Sequence, residues 1–318
     1  MIIMNETCLI FDGLNIFTRH YIANPSIGEN GDAIGGVVGM INAIASLCEK
    51  FSPTKVFVIW EGGGSSRKRS IFPEYKSGRR PQRLNRYYDS DIPNTVENRN
   101  EQVQMIISVL RYMPVSQIYV EDCEADDVIG YICKYKLKDS RKVIVSSDKD
   151  FYQLLDKKTI IYSPTWKKFV SFKQVKEKFG ISSKNFCLAK CLCGDPSDNI
   201  PGAKGAGFKT ISKRFTFLDS DDEYLIDDIL QACNDKILSG SKVKVFRSIL
   251  DSESQIRKNW KLIMLDTNNL SASQIKKIEN SIDTFKPVRN KMKAIKTLRD
   301  LSITSINIDR AFISMRNL

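Results

Sequence analysis

The chain reads as an α/β protein built on a central, mainly parallel sheet, and three observations carry that reading. Apolar runs of strand length recur at residues 6–12, 55–60, 117–120 and 142–146. Stretches of helical periodicity separate them, which implies parallel pairing, since a parallel crossover needs a helix to return the chain. Each run leads to acids: Asp12, Glu61, Glu124 after the third, then Asp148 and Asp150. Ligands of such sheets bind beyond the carboxyl ends of the strands, so four strands deliver carboxylates to one rim.

The elements justify this in order. Residues 6–12 form a short buried strand, and a helix from Val37 to Phe51 shows an apolar face through Val38, Ile41, Ile44, Ala45 and Cys48. The run 55–60 is a second strand. Between it and a helix from about Glu101 to Tyr112 lies a long segment opened by Gly62, Gly63 and Gly64. From Ser65 to Tyr88 it holds eight Lys/Arg (67, 68, 69, 76, 79, 80, 83, 86) against one acid, Glu74, with Tyr75, Tyr87 and Tyr88 interleaved. Cations pair with phosphates and aromatic rings stack on bases, so this composition suits a single-stranded nucleic acid.

The third strand meets Glu124-Ala125-Asp126-Asp127 at the start of a helix-like run. Alone, such acids read as a helix cap that complements the dipole. Their convergence with acids from three other strand ends points instead to a site, where grouped carboxylates raise one another's pKa unless a cation intervenes. A fourth strand, a hairpin at 160–170, and helices at 172–179 and 184–193 follow. Gly194-Asp-Pro-Ser-Asp-Asn-Ile-Pro-Gly202 then carries Asp195 and Asp198 into a turn with Gly202, Lys204, Gly205, Gly207 and Lys209, before a helix at 211–215. Exposed backbone N–H groups there, with the helix start, form a phosphate nest. Residues 219–228 are acidic and read as surface. Beyond Leu270 ten Lys/Arg face four Asp/Glu, which fits either a duplex-lining or a plainly solvated surface.

Composition narrows the chemistry. The net charge of +12 and pI near 9.2 favour a polyanionic partner. His20 is the only histidine, which argues against His-based triads and multi-His zinc sites. The eight cysteines lack metal spacing and read as buried free thiols of a reducing cytoplasm. No apolar run approaches the roughly 20 residues of a membrane span, and the start lacks the features of a signal peptide.

Four motifs, in order, resemble the 5′-nuclease superfamily: flap endonucleases, the 5′-nuclease domain of bacterial DNA polymerase I, and phage enzymes including the one named ribonuclease H. They are Asp12-Gly-Leu-Asn15 with Arg19; Phe72-Pro-Glu-Tyr-Lys-Ser-Gly-Arg79; Glu124-Ala-Asp-Asp127 with Ser146-Ser-Asp-Lys-Asp-Phe151; and the glycine-rich stretch 194–207. No polymerase sequence follows, so a stand-alone enzyme of phage type is most similar. The resemblance implies a PIN-like catalytic domain over 1–180 with a basic arch at about 65–100. A helical DNA-binding region over 181–318 would contain a helix-three-turn-helix at about 184–217.

It further implies a two-metal nuclease acting on 5′ flaps and ends. Asp12, Glu61, Glu124, Asp126 and Asp148 would surround one ion and Asp150, Asp195 and Asp198 the other, with Asp127 near both. Carboxylates without His or Cys select hard cations such as Mg²⁺ or Mn²⁺. Lys76 and Arg79 would offer charge to the scissile phosphate, and Tyr75 would stack on the terminal base. Arg19, Arg80, Arg83, Arg86, Gly202, Lys204, Gly205, Gly207 and Lys209 would hold DNA, with a K⁺ at the helix-three-turn-helix. Glu61 departs from the family's usual Asp. Expected partners are branched or RNA-primed DNA, a sliding clamp or single-strand-binding protein, and no membrane; the protein would be a monomer of the cytoplasm (the host's, if phage-encoded). A PIN-like ribonuclease would share the rim of acids but lack the basic insertion and glycine-rich clamp. A non-catalytic branched-DNA binder would have no reason to keep nine acids.

Overall fold

The computed structural model describes residues 6–78 and 96–318. Six strands form one sheet: β1 (Thr7–Asp12), β2 (Lys55–Trp60), β3 (Ser116–Tyr119), β4 (Arg141–Val145), β5 (Thr159–Ser163) and β6 (Lys168–Val170). Their order is β3-β2-β1-β4-β5-β6. The first five pair in parallel and only β6 runs antiparallel, closing the expected hairpin with β5. Winding proceeds outward from β1 in both directions, so the order reverses between β1 and β4. A crevice opens at the carboxyl end of such a reversal.

Strand alternation builds a core on each face. Leu9 and Phe11 of β1 point to one side with Val56, Val58, Val143 and Val145, while Cys8 and Ile10 point to the other with Phe57, Ile59 and Ile144. Both faces being covered explains why the strands read as continuous apolar runs rather than alternating ones. The first face is covered by helices Gly13–Ala23, Gly35–Phe51 and Val96–Leu110, and by the C-terminal helices Lys291–Asp300 and Ile308–Ser314. The second face is covered by helix Ala125–Tyr131, the short turn Asp150–Leu154 and helix Ala272–Asp283.

A third core joins helices Ser183–Cys193, Phe208–Arg214, Ile226–Leu238, Lys244–Asp251 and Glu253–Ile263. The basic C-terminal stretch therefore packs back on the sheet with its apolar residues, including Ile278, Ala294, Leu298 and Phe312. All eight cysteines are free, and seven are buried. Among the described residues no helix is long and apolar enough to cross a membrane.

Candidate active site

Most rim acids are placed by the end of a strand or the start of a helix, and Asp198 ends the short turn Pro196–Asp198. Asp12 ends β1 and caps the helix that follows, accepting from the Asn15 N–H at 3.4 Å and from Ser146 Oγ at 2.9 Å. Glu61 follows β2, and its extra methylene carries the carboxylate to the Ala125 N–H, 3.2 Å away at the start of helix Ala125–Tyr131. Glu124 occupies the N-cap position of that helix but makes no capping bond with its side chain. Its oxygens are taken by Lys68 Nζ at 2.8 Å, Tyr75 Oη at 2.9 Å and Lys76 Nζ. The cap reading of this acid thus gives way to an ion-pair cluster.

Asp126 sits 3.7 Å from Lys68 Nζ and accepts from the Asp127 N–H at 2.7 Å. Asp127 is buried, with Lys68 Nζ 2.8 Å from one oxygen and Asn269 Nδ2 2.9 Å from the other. Oxygens of Glu124, Asp126 and Asp127 lie within 4.8 Å of one another. After β4, Asp148 accepts from the Asp150 N–H at 2.9 Å. Asp150 pairs with Lys190, which also bonds Asp195 at 2.6 Å, and oxygens of Asp150, Asp195 and Asp198 form a second group within 4.8 Å.

Asp12, Glu61, Glu124, Asp126 and Asp148 line one cavity of about 540 Å³ together with Tyr75, Lys76, Arg69 and Arg99. The loop that carries Asp195 and Asp198 also holds the Tyr75–Lys76 segment. The Lys76 N–H donates to the Asp198 carbonyl at 3.0 Å, and Asn199 Nδ2 donates to the Glu74 carbonyl at 3.1 Å. Lys76 takes a left-handed backbone (φ 59°) and lies over the Tyr75 ring, 4.8 Å from its centre. Tyr75 is buried.

The electrostatics divide the acids. Burial raises Asp12 and Asp127 to about 7 and Glu61 and Asp148 to about 6, with neighbouring carboxylates adding to the effect. Burial would raise Glu124 as well, but Lys68 and Lys76 together outweigh it and hold that group at about 2. Asp195 is likewise kept below its ordinary value against the effect of burial, mainly by Lys190. Lysines pair directly with Glu124, Asp126, Asp127, Asp150 and Asp195, while Asp12, Glu61 and Asp148 are raised by burial and by neighbouring carboxylates. An all-oxygen donor set with excess negative charge fits divalent hard cations.

The glycine-rich stretch connects helix Ser183–Cys193 to helix Phe208–Arg214. Asp195 and Ile200 bridge its base, and Gly202 crosses so near Cys193 that a Cβ would lie 2.1 Å from the Cys193 carbonyl oxygen. Lys204, Gly205, Gly207 and Lys209 are exposed. Arg19 donates to Thr165 Oγ1 at 3.1 Å, beside the tip of the β5–β6 hairpin. Arg79, Arg80, Arg83 and Arg86 lie outside the described residues.

Sequence reasoning missed Lys68, Lys190, Arg99 and Asn269. Lys68 was grouped with the substrate-facing basic run, yet it is buried among three acids at 1% exposure. Nothing in the local sequence distinguishes a lysine folded inward from one facing solvent. Lys190 lies on the helix expected at 184–193, to which the sequence assigns no site residue.

Residues 7–180 match the family described as 5′-3′ exonuclease, N-terminal resolvase-like domain. The chain belongs to the 5′-3′ exonuclease family. It is similar to flap endonuclease Xni of Shewanella sediminis, 30% identical over 280 residues that span 85% of this chain and 97% of that protein. It also resembles DNA polymerase I of Caldicellulosiruptor bescii, 30% identical over 73% of this chain, but spans only 27% of that protein. A flap endonuclease of bacteriophage T5, solved as a pseudo-enzyme–product complex with DNA and metal ions, shares the fold of this exonuclease-family chain. The TM-score is 0.67 with 19% identity, over 87% of this chain and 98% of that one.

Proposed function

We propose that the protein is a divalent-metal-dependent, structure-specific 5′-nuclease. It hydrolyses phosphodiester bonds where a 5′ single strand meets duplex, at flaps, free 5′ ends and RNA primers, in DNA replication and repair. The observation that carries this reading is the gathering of nine carboxylates from five segments on one rim, beside Lys76 and Tyr75. Asp12, Glu61, Glu124, Asp126 and Asp148 would hold one Mg²⁺, and Asp150, Asp195 and Asp198 a second, with Asp127 supporting the pair; Mn²⁺ would substitute. Two such ions, when bound, supply an activated water and charge for the leaving oxygen.

The residues of the chain do the remainder. Lys76, tethered to Glu124, presents its ammonium to the scissile phosphate together with Arg79. Tyr75 lines the same cavity, where the terminal base would reach it. The exposed turn at Gly202, Lys204, Gly205, Gly207 and Lys209 would act as a helix-three-turn-helix holding duplex phosphates, with a K⁺ completing the nest. Arg19, Arg80, Arg83 and Arg86 would add phosphate contacts. The substrate is branched or RNA-primed DNA, met as a monomer in the cytoplasm, and a sliding clamp or single-strand-binding protein is the partner such a role calls for. Incubating an end-labelled 5′-flap substrate with Mg²⁺ or with EDTA tests this. Cleavage near the junction that EDTA abolishes is expected, and binding without cleavage would make the protein a branched-DNA binder instead.

A further inference from the structure

Both oxygens of Asp127 are bonded by side chains that lie far apart in the sequence. Lys68 takes one and Asn269 the other. Asn269 lies well beyond the 7–180 segment that matches the exonuclease domain. It ends the short turn Thr267–Asn269, between helices Glu253–Ile263 and Ala272–Asp283. Its amide is buried and fully directed: Nδ2 donates to Asp127 Oδ1 at 2.9 Å and to the Met264 carbonyl at 2.7 Å.

The segment bearing Asn269 is strapped to helix Ala125–Tyr131, to the residues flanking it and to the turn Asp150–Leu154. Gln153 donates to the Ile263 carbonyl at 3.1 Å and accepts from the Leu265 N–H at 2.9 Å. Tyr131 Oη donates to Glu279 at 2.9 Å, and Lys136 pairs with Asp283 at 2.6 Å. Gln274 Nε2 donates to the carbonyls of Glu121 and Asp122, each at 3.0 Å, just before Glu124. Leu265 packs so closely on Gly130 that a Cβ there would stand 2.9 Å from the leucine Cβ. The strap therefore has little freedom to shift relative to Asp127.

We infer that Asn269 is a positioning residue of the acidic site, through which the C-terminal strap fixes the Asp127 carboxylate for divalent-cation binding. The inference rests on the nuclease reading above. Two fixed donors on separate oxygens leave the carboxylate one orientation, which spares it reordering when a cation enters. Donors that orient metal-site carboxylates change affinity by about 10- to 100-fold when removed.

The test is a Mn²⁺ titration of the full chain, without DNA, followed by electron paramagnetic resonance of the free ion. Asn269→Leu removes the amide at similar volume, Asn269→Ser is the milder variant if the first fails to fold, and Asn269→Gln restores an amide. Gln274→Ala removes one tie of the strap and leaves those of Gln153, Tyr131 and Lys136, and the Asn269 amide, in place. The expected result is Mn²⁺ affinity about 10- to 100-fold weaker in Asn269→Leu or Asn269→Ser, partly rescued in Asn269→Gln and unchanged in Gln274→Ala. Wild-type affinity in folded Asn269→Leu or Asn269→Ser would overturn the inference and leave the nuclease reading standing. So would equal losses in Gln274→Ala, which would mark the strap as merely structural. Absence of saturable Mn²⁺ binding in the wild-type chain would sink both.

Discussion

Lys68→Met is the most informative single perturbation of the site's charge balance. The lysine is 1% exposed and joins Glu124 and Asp127, each at 2.8 Å, with Asp126 at 3.7 Å. Burial opposes its charge, yet the carboxylates of Asp126, Asp127 and Glu124 hold its pKa well above the ordinary value. Methionine fills a similar volume and leaves two buried carboxylates without that cation. Breaking a buried pair from one side costs about 3–5 kcal/mol. At about 2–4 °C per kcal/mol for chains somewhat shorter than this one, the melting temperature should fall by roughly 6–20 °C in EDTA at neutral pH. Two further signatures follow. Saturating Mg²⁺ should recover part of the loss, because it returns positive charge to the same carboxylates. The deficit should also narrow in acid: Glu124, held at about 2 by Lys68 and Lys76 against burial, contributes stability above the ordinary carboxylate range that fades as the pH falls toward that value. Differential scanning calorimetry with and without Mg²⁺ reads all three. An unshifted melting temperature in EDTA would refute the claim that Lys68 balances the buried acids.

Lys76→Ala should lower kcat on a flap substrate by about 10²-fold, the scale of removing one oxyanion donor, with a much smaller change in KM; the opposite split would make Lys76 a phosphate anchor. Divalent-cation affinity should rise between pH 5.5 and 8, because Asp12 and Asp127 near 7 and Glu61 and Asp148 near 6 must lose protons first. The sign for the metal-free fold is opposite: raised carboxylate pKa values erode its stability as pH climbs from about 4 to 7. The Mn²⁺-induced rise in melting temperature should therefore be larger at pH 8 than at pH 5.5, and a flat response would contradict the raised values. Gly202→Ala should destabilise by about 1–3 kcal/mol, since its Cβ would meet the Cys193 carbonyl oxygen at 2.1 Å; unchanged thermal unfolding would dispute that crossing.

Much of the sheet was legible because strands buried on both faces leave an unbroken apolar signature, as Val56 to Ile59 and Val143 to Val145 do. The rim acids were legible because strand direction sends Asp12, Glu61 and Asp148 to one edge without further information. Lys68 and Lys190 were not, because a lysine's long stem reads alike whether its head meets water or a buried carboxylate. The helix Gly13–Ala23 also escaped, as its Leu14, Ile16 and Phe17 continue the apolar run of β1 past Asp12. The C-terminal stretch read as helical and basic, with no sign of which core it would join. An apolar stripe specifies burial and leaves the partner open, so the return of residues 264–318 to the sheet and the reach of Asn269 to Asp127 were settled only by tertiary packing.

The central claim is that the gathered carboxylates form a divalent-cation nuclease site, and Asp148→Asn tests it most directly. This acid lines the cavity with Asp12 and Asp126 and is raised to about 6 mainly by burial. On an end-labelled 5′-flap substrate with Mg²⁺, the wild-type chain should cut near the junction, while the variant should bind the same DNA and leave it uncut. Cleavage by Asp148→Asn at the wild-type rate, or wild-type cleavage that persists in EDTA, would contradict the account.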